Sequence, residues 1–548
     1  MEEQNNSVWH RRSKLELSVM AGIFLFFFYI IVSLIPIVPS ESETNFCPQM
    51  ETLYPDSSFA NATMFFEQDY AKYSVDKLSK AVQIPTVSYD DMGVPGEDER
   101  YEVFYDFQAF VEKEFPLSVK HGNLEIVNEH GLLFTFKGSS SELRPVLLMA
   151  HQDVVPIGNQ EWDFSPFSGY YDGEFIHGRG TADTKNTLVG ILEATESLLK
   201  QNWVPRRTLL LSFGYDEEIS GNNGARPMAE ELVSRYGRDS LEAIVDEGFG
   251  FMSAFGSTVA APAIAEKGYL DVGIDLKTPG GHSSMPPDHT GIGIMAELAK
   301  VLEDNPFKPS IDNGNPTLSL FQCLAEHAEH MNKELRRIVL DIDGVGHRKL
   351  FLKLLQRKPE LLYTIRTTQA LDVIRGGVKI NALPEMVSLS INHRLAIDSS
   401  VPAIMDRIEH FASRVAEKYQ LGLYSDGDEV LVGPNGNFSI TAMDKREPAP
   451  ISPSEGLPWK WIGGTYRHVL GETAGEHKPE GNIIVSPSIM PAATDTHHFW
   501  ALTRAIYRLS PVYFEDMINF HTVNEKLRFR SHLITVAWYY EFILNSTL

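Results

Sequence analysis

Cysteine is nearly absent from this chain of 548 residues: Cys47 and Cys323 are the only two. That excludes a disulfide framework and leaves too little sulfur for a thiolate metal site. Any metal must be held by His, Asp and Glu. A single bridge is open in an oxidising lumen, but the sequence shows no proximity, so two unpaired thiols are expected. Basic residues are also in deficit. The 48 Lys and Arg against 73 Asp and Glu leave a formal net charge of -25. Such a surface repels phosphate backbones and argues against a nucleic-acid partner. Internal repeats and low-complexity tracts are missing. The rest is ordinary, with 43% hydrophobic and 22% charged residues, which argues against wholesale disorder. The length exceeds one compact core, so two domains with appendages are expected.

Long apolar runs are missing as well, with one exception. Leu17 to Val38 is almost continuously apolar. At about 22 residues it is long enough to cross roughly 30 Å of hydrocarbon as a helix. Arg11, Arg12 and Lys14 precede it, and positive flanks favour the cytosolic side. The expectation is an uncleaved type II anchor at 17–38 behind a cytosolic tail at 1–16, with the remaining chain lumenal. A cleaved signal peptide is the alternative, but the run is long for one and no small-x-small site follows. The sequons at Asn61, Asn437 and Asn545 fit a lumenal topology. Asn5 also begins one, on the side expected to stay unmodified.

Residues 39–74 are rich in Ser, Glu and Pro and read as a stalk. Beyond them strands and helices alternate. Val146–Ala150, Thr208–Phe213 and Ala243–Val245 are short apolar runs of the buried-strand kind. Residues 186–200 have helical periodicity. This predicts an α/β catalytic layer with a mainly parallel sheet over 75–266. From Lys267 the pattern changes to strand, helix, strand, strand, helix and strand, a split βαβ domain of α+β type over 267–446. Residues 316–360 within it read as a helical insertion. The catalytic layer resumes at 447–548, and an amphipathic helix is expected at the end.

Chemistry-bearing residues follow the strand ends, where open α/β sheets place their ligand sites. His151 and Asp153 follow the first apolar run. Two apart on an extended segment, they share a face, so His151 can bind metal while Asp153 holds its imidazole from behind. A surface pair is the plainer alternative. Asp183 stands in His177-Gly-Arg-Gly-Thr-Ala-Asp183 at the edge of a helix, as a helix cap or as a carboxylate bridging two ions. Asp216, Glu217 and Glu218 are three adjacent acids after the second run. They suit a solvated loop, or a metal site in which Glu218 is a ligand and Glu217 takes the proton from the attacking water. Asp246-Glu247-Gly248 follows the third run. His521 lies in Phe520-His-Thr-Val-Asn-Glu525, where a lone His is more often structural. Nitrogen and oxygen donors without sulfur suit zinc, with cobalt or manganese as substitutes.

In combination these motifs resemble the di-zinc metallopeptidase family that includes aminoacylase-1, carboxypeptidase G and carboxypeptidase S. The resemblance covers roughly residues 75 to 548 and is carried by MAHQDVVP, GRGTADTKN, DEEISG, DEG, GGHSS and FHTVNE. It implies two zinc ions per chain. One is held by His151, Asp183 and Asp246, the other by Asp183, Glu218 and His521, with Asp183 shared. Glu217 is implied as general base and Asp153 as the partner of His151. His497 and His498 compete with His521, but in relatives the ligand belongs to the later motif. The resemblance also implies that His282 steadies the oxyanion, in some relatives across a homodimer contact. Asn381 and Arg394 are implied to grip the substrate carboxylate or the amide oxygen. Relatives show Thr-Asp-x-Arg where this chain has Thr494-Asp-Thr-His497, and glycine where it has Asn186.

The activity so implied is a carboxypeptidase that removes the C-terminal amino acid of short peptides of the Gly-Xaa type, in a vacuole or lysosome-like lumen. Hydrolysis of N-fatty-acyl amino acids, at a cell exterior, is the rival within the family. A non-catalytic receptor that keeps the fold would have lost a ligand or the base, and this chain retains them all.

Overall fold

The computed structural model describes residues 45–548, apart from the side chains of residues 359 and 360. The expected tail at 1–16 and anchor at 17–38 lie outside the described residues. No helix among the described residues is long and apolar enough to cross a membrane.

An eight-stranded sheet forms the catalytic layer. Its order is Glu125–Val127, Gly131–Phe136, Leu209–Gly214, Val146–His151, Ala243–Asp246, Ile506–Arg508, Ala263–Glu266 and Ser488–Met490. The apolar runs become its central strands. Leu209–Gly214, Val146–His151, Ala243–Asp246 and Ile506–Arg508 run parallel, so their carboxyl ends collect at one rim. The sheet is mixed: its centre is parallel, as is the edge pair Ala263–Glu266 and Ser488–Met490, while Gly131–Phe136 and Ala263–Glu266 join that centre antiparallel on either side. Side-chain alternation divides each strand between two faces. Val146, Leu148 and Ala150 meet helices Lys185–Lys200 and Phe529–Thr547, while Leu147 and Met149 meet helix Ala225–Tyr236. The terminal helix is not amphipathic: it is buried along almost its whole length, because the sheet and the neighbouring helices both cover it.

A second sheet of six strands carries helices Gly291–Asp304 and Val401–Tyr419 on one face. Its long strands Gly268–Lys277, Met386–Leu395 and Asn437–Arg446 are antiparallel neighbours. Alternation along Gly268–Lys277 is complete, with every second residue buried.

Two expectations are corrected here. The stalk is a stalk only by composition. From Cys47 the chain lies along the catalytic layer, where the Leu53 N–H donates to the Gly464 carbonyl at 3.2 Å and Phe65 is wholly buried. Apolar residues spaced through the polar stretch supply that packing. The two cysteines are not free thiols. Cys47 and Cys323 form a disulfide across a sequence separation of 276, a proximity no local pattern announces.

The helical insertion leaves the sheet that flanks it in sequence. Helices Pro316–His327, Lys333–Leu340 and His347–Leu355 share a core with Cys47, Val259 and Ile484 on the catalytic side. Lys267, 3% exposed, clasps the return of this excursion: its Nζ donates to the carbonyls of Tyr363 at 2.9 Å and Arg366 at 2.8 Å. The next passage is tied alongside, as the Ala449 N–H donates to the Glu266 carbonyl at 3.0 Å.

Candidate functional site

His151 is the last residue of its strand. Its Nδ1 faces the Asp153 carbonyl at 2.9 Å and the Asp153 carboxylate at 3.2 Å, which leaves Nε2 to face the rim. The Asp153 carboxylate is fully buried. It also accepts from Ser88 Oγ at 2.7 Å and from the backbone N–H groups of Glu217 and Glu218, each at 3.1 Å. One buried anion therefore orients the imidazole and pins the loop bearing the next two acids.

Asp183 lies two residues before helix Lys185–Lys200, across a cis peptide to Thr184. It is not a helix cap. Oδ1 faces His151 Nε2 at 3.2 Å and Oδ2 faces His521 Nε2 at 3.0 Å. Burial opposes ionisation, but the two imidazoles hold its carboxyl below the usual range. His521 Nε2 is also 3.2 Å from Glu218 Oε1. Three donor sets lie within this cluster: His151, Asp183 and Glu247; Asp183, Glu218 and His521; and His151, Glu217 and Glu218. The first two share Asp183. Glu217 approaches His151 Nε2 to 4.0 Å. His498 is engaged elsewhere, with Nε2 3.0 Å from the Ser220 carbonyl, and His497 Nδ1 faces the Thr494 carbonyl at 2.9 Å.

Asp246, expected as a ligand, joins none of these sets. It ends its strand at 3% exposure, and its Oδ2 has no hydrogen-bond partner. Its neighbour Glu247 brings Oε1 to 3.2 Å from His151 Nε2. Successive residues leaving a strand point to opposite sides, so a one-residue difference decides which acid enters. Glu247→Gln should cost one metal ion per chain by elemental analysis, while Asp246→Asn should retain both. The reverse pattern would return the ligand role to Asp246.

The donor chemistry fits divalent cations. Burial and Asp183 push Glu218 up to about 7. Burial and Glu247 push Asp246 up to about 8, and burial followed by neighbouring acids raises Glu217 well above its ordinary value. Carboxylates crowded in this way are costly unless cations offset them.

The cluster opens on a cavity of about 660 Å³ whose far wall comes from the six-stranded sheet. Tyr269 pairs across the strands with both Arg394 and Arg446, and all three line the cavity. The Arg394 guanidinium lies 4.6 Å from the Tyr269 ring centroid. Neither arginine has a carboxylate partner among the described residues. His497 lines the cavity too, and burial, then His498 and Arg446, push it down to about 3. It is therefore neutral. Its loop is held by a buried network in which Arg508 donates to Glu266 at 2.9 Å and to Thr496 at 2.8 Å. Thr494 donates to Glu266 at 2.7 Å. Gly221 (φ +63°) leaves room for Asp495, whose Oδ1 would lie 2.1 Å from an added Cβ.

His282 and Asn381 are not brought to this cavity. Tyr269 and Lys277 are eight positions apart on one strand, about 27 Å, and His282 follows the far end. There it pairs with Ala382 in a short ribbon, is exposed, and bonds Ser284 Oγ through Nδ1 at 2.7 Å. Asn381 is exposed beside it, its carbonyl accepting from the Ser283 N–H at 3.3 Å.

Two acids were not singled out as site residues by sequence reasoning: the half-buried Glu247 and the buried Glu525. The signal for Glu525 was its place in the same short motif as His521.

A family model for peptidase family M20/M25/M40 matches residues 147–545. Carboxypeptidase S of Saccharomyces cerevisiae is 39% identical over 561 aligned residues, covering 98% of this chain and 97% of the relative. The N-fatty-acyl-amino acid synthase/hydrolase PM20D1 of Bos taurus is 33% identical, over 88% of this chain and 89% of its own. Among solved structures, an M20 family metallo-carboxypeptidase of Sulfolobus solfataricus superposes with a TM-score of 0.58 at 17% identity. That match covers 86% of this chain and 99% of the other.

Proposed function

The chain belongs to peptidase family M20/M25/M40, and we propose that it is a two-metal carboxypeptidase hydrolysing the amide bond beside the C-terminal residue of short peptides. The observation that carries this reading is Asp183, one carboxylate shared between two imidazoles, with Glu217 beside them at 4.0 Å from His151 Nε2. Zinc is the metal proposed, from the nitrogen and oxygen donors. His151, Asp183 and Glu247 would hold one ion, and Asp183, Glu218 and His521 the other. Bound there, the pair supplies Lewis acidity toward the carbonyl oxygen and makes water easier to deprotonate.

The chain's own residues do the rest. Glu217 accepts the proton of the attacking water and returns it to the leaving amine. Asp153 keeps the His151 tautomer and the Glu217 backbone in place. Arg394, steadied on Tyr269, receives the free carboxylate of the leaving residue. His282 steadies the oxyanion on this reading from a second copy of the chain, since its own chain holds it at the far end of a strand. The apolar run at 17–38 is proposed as a type II membrane anchor that leaves the catalytic part in a vacuole-like lumen. The Cys47–Cys323 bridge supports an oxidising compartment.

The test is hydrolysis of a blocked Gly-Leu dipeptide beside an N-fatty-acyl amino acid by the purified protein. The peptide should be the better substrate by kcat/KM, and the reverse order would assign the chain to acyl-amino-acid hydrolysis. Arg394→Ala should raise KM about 10- to 100-fold, as losing hydrogen bonds to a charged group of ~1.5–3 kcal/mol implies.

A further inference from the structure

Glu525 is wholly buried, four residues beyond His521, and is not part of the lining of the cavity on which the cluster opens. Its carboxylate is nonetheless fully engaged, and every donor comes from the loop that carries Asp183. Oε1 accepts from the backbone N–H groups of Gly180 at 2.9 Å, Ala182 at 3.0 Å and Asp183 at 3.4 Å. Oε2 accepts from Arg179 Nη1 at 2.5 Å. The Glu525 carbonyl accepts from the Gly178 N–H at 2.9 Å. Directly after it, strand Lys526–Arg528 pairs with Phe175–His177, the strand leading into that same loop.

We infer that Glu525 is a positioning residue that sets the separation between Asp183 and His521, and so the metal affinity of the half they share with Glu218. Three converging N–H groups form an anion-binding nest, and the anion filling it is fixed to the turn that bears His521. Asp183 and His521 are 338 residues apart by number, yet Oδ2 and Nε2 lie 3.0 Å apart. The Glu525 side chain spans the two loops that make this meeting. A ligand's supporting partner of this kind typically governs metal affinity by about 10- to 100-fold. In glutamine the single oxygen still accepts, but uncharged, and its NH2 meets the Arg179 donors. In aspartate the charge stays while the reach shortens by one methylene.

The inference rests on the two-metal reading, and zinc itself is the probe. Zinc affinity is measured on the full chain by competition with a chromophoric chelator, well below the unfolding temperature. E525Q and E525D should each weaken one of the two zinc sites about 10- to 100-fold. Excess zinc should restore kcat at unchanged KM. A merely structural role would lower the melting temperature and leave zinc affinity in the folded fraction untouched, and that result overturns the inference. If E525Q is recovered only unfolded, E525D decides: wild-type zinc affinity in E525D overturns it equally. Wild-type protein that fails to bind two zinc ions would instead sink the two-metal reading.

Discussion

Replacing Glu217 with glutamine should lower kcat by about 10³- to 10⁴-fold while both zinc ions stay bound. The substitution keeps shape and volume but cannot accept a proton, and general acid–base catalysis contributes about 10²–10⁴-fold. The upper end is expected because Glu217 serves the proton both going and returning. Retention of metal follows from geometry. Glu217 approaches His151 only to 4.0 Å, whereas Glu218 and Glu247 each reach an imidazole nitrogen at 3.2 Å. The backbone N–H of Glu217 stays fixed on Asp153 at 3.1 Å, so the loop has no reason to move. Steady-state kinetics with elemental analysis decides the matter. A Glu217→Gln protein working at more than about a tenth of the wild-type rate, well short of the smallest loss such catalysis entails, would remove Glu217 from the role of base.

Asp183→Ala should strip the centre rather than slow it. Each oxygen of Asp183 serves a different imidazole, so its removal opens at once both donor sets that share it. Bound zinc should fall from two per chain to less than one, with activity at background. Thermal unfolding gives an independent reading. Zinc that binds only the folded wild type raises its melting temperature by mass action, and that rise should vanish in the variant. A single lost ion, with the second held at wild-type affinity, would show that Asp183 serves one site only.

The local part of this molecule was legible. Val146–His151, Leu209–Gly214 and Ala243–Asp246 each declare themselves by an apolar run of strand length. A histidine or acids follow each run at the sheet's rim, and the resemblance of the motifs to a known family, rather than the runs themselves, is what joined His151 and Glu218 to Asp183 and His521. What escaped depends on orientation or on distant contact. Asp246 and Glu247 are chemically alike and adjacent, and only the strand's phase separates them. His282 and Asn381 lie in and beside a short ribbon beyond the far end of the six-stranded sheet, a distance invisible in motif order. The Cys47–Cys323 bridge joins segments that no periodicity relates. The polar composition of 39–74 concealed a few well-spaced apolar residues that suffice to bind it to the core.

The helical excursion through residues 316–362 has a mechanical consequence. A domain inserted in the ordinary way hangs from its host on two chain passages and can swing about them. Here the polypeptide passes between the six-stranded sheet and the catalytic side four times, near residues 267, 310, 365 and 447. Lys267 fastens the first passage to the third, and the Ala449–Glu266 bond fastens the fourth to the first. Such a joint behaves like a bracket rather than a hinge. The Arg394 wall is therefore held at a fixed standoff from the cluster, and on the proposed role of Arg394 that standoff would gauge substrate length as a rigid caliper does.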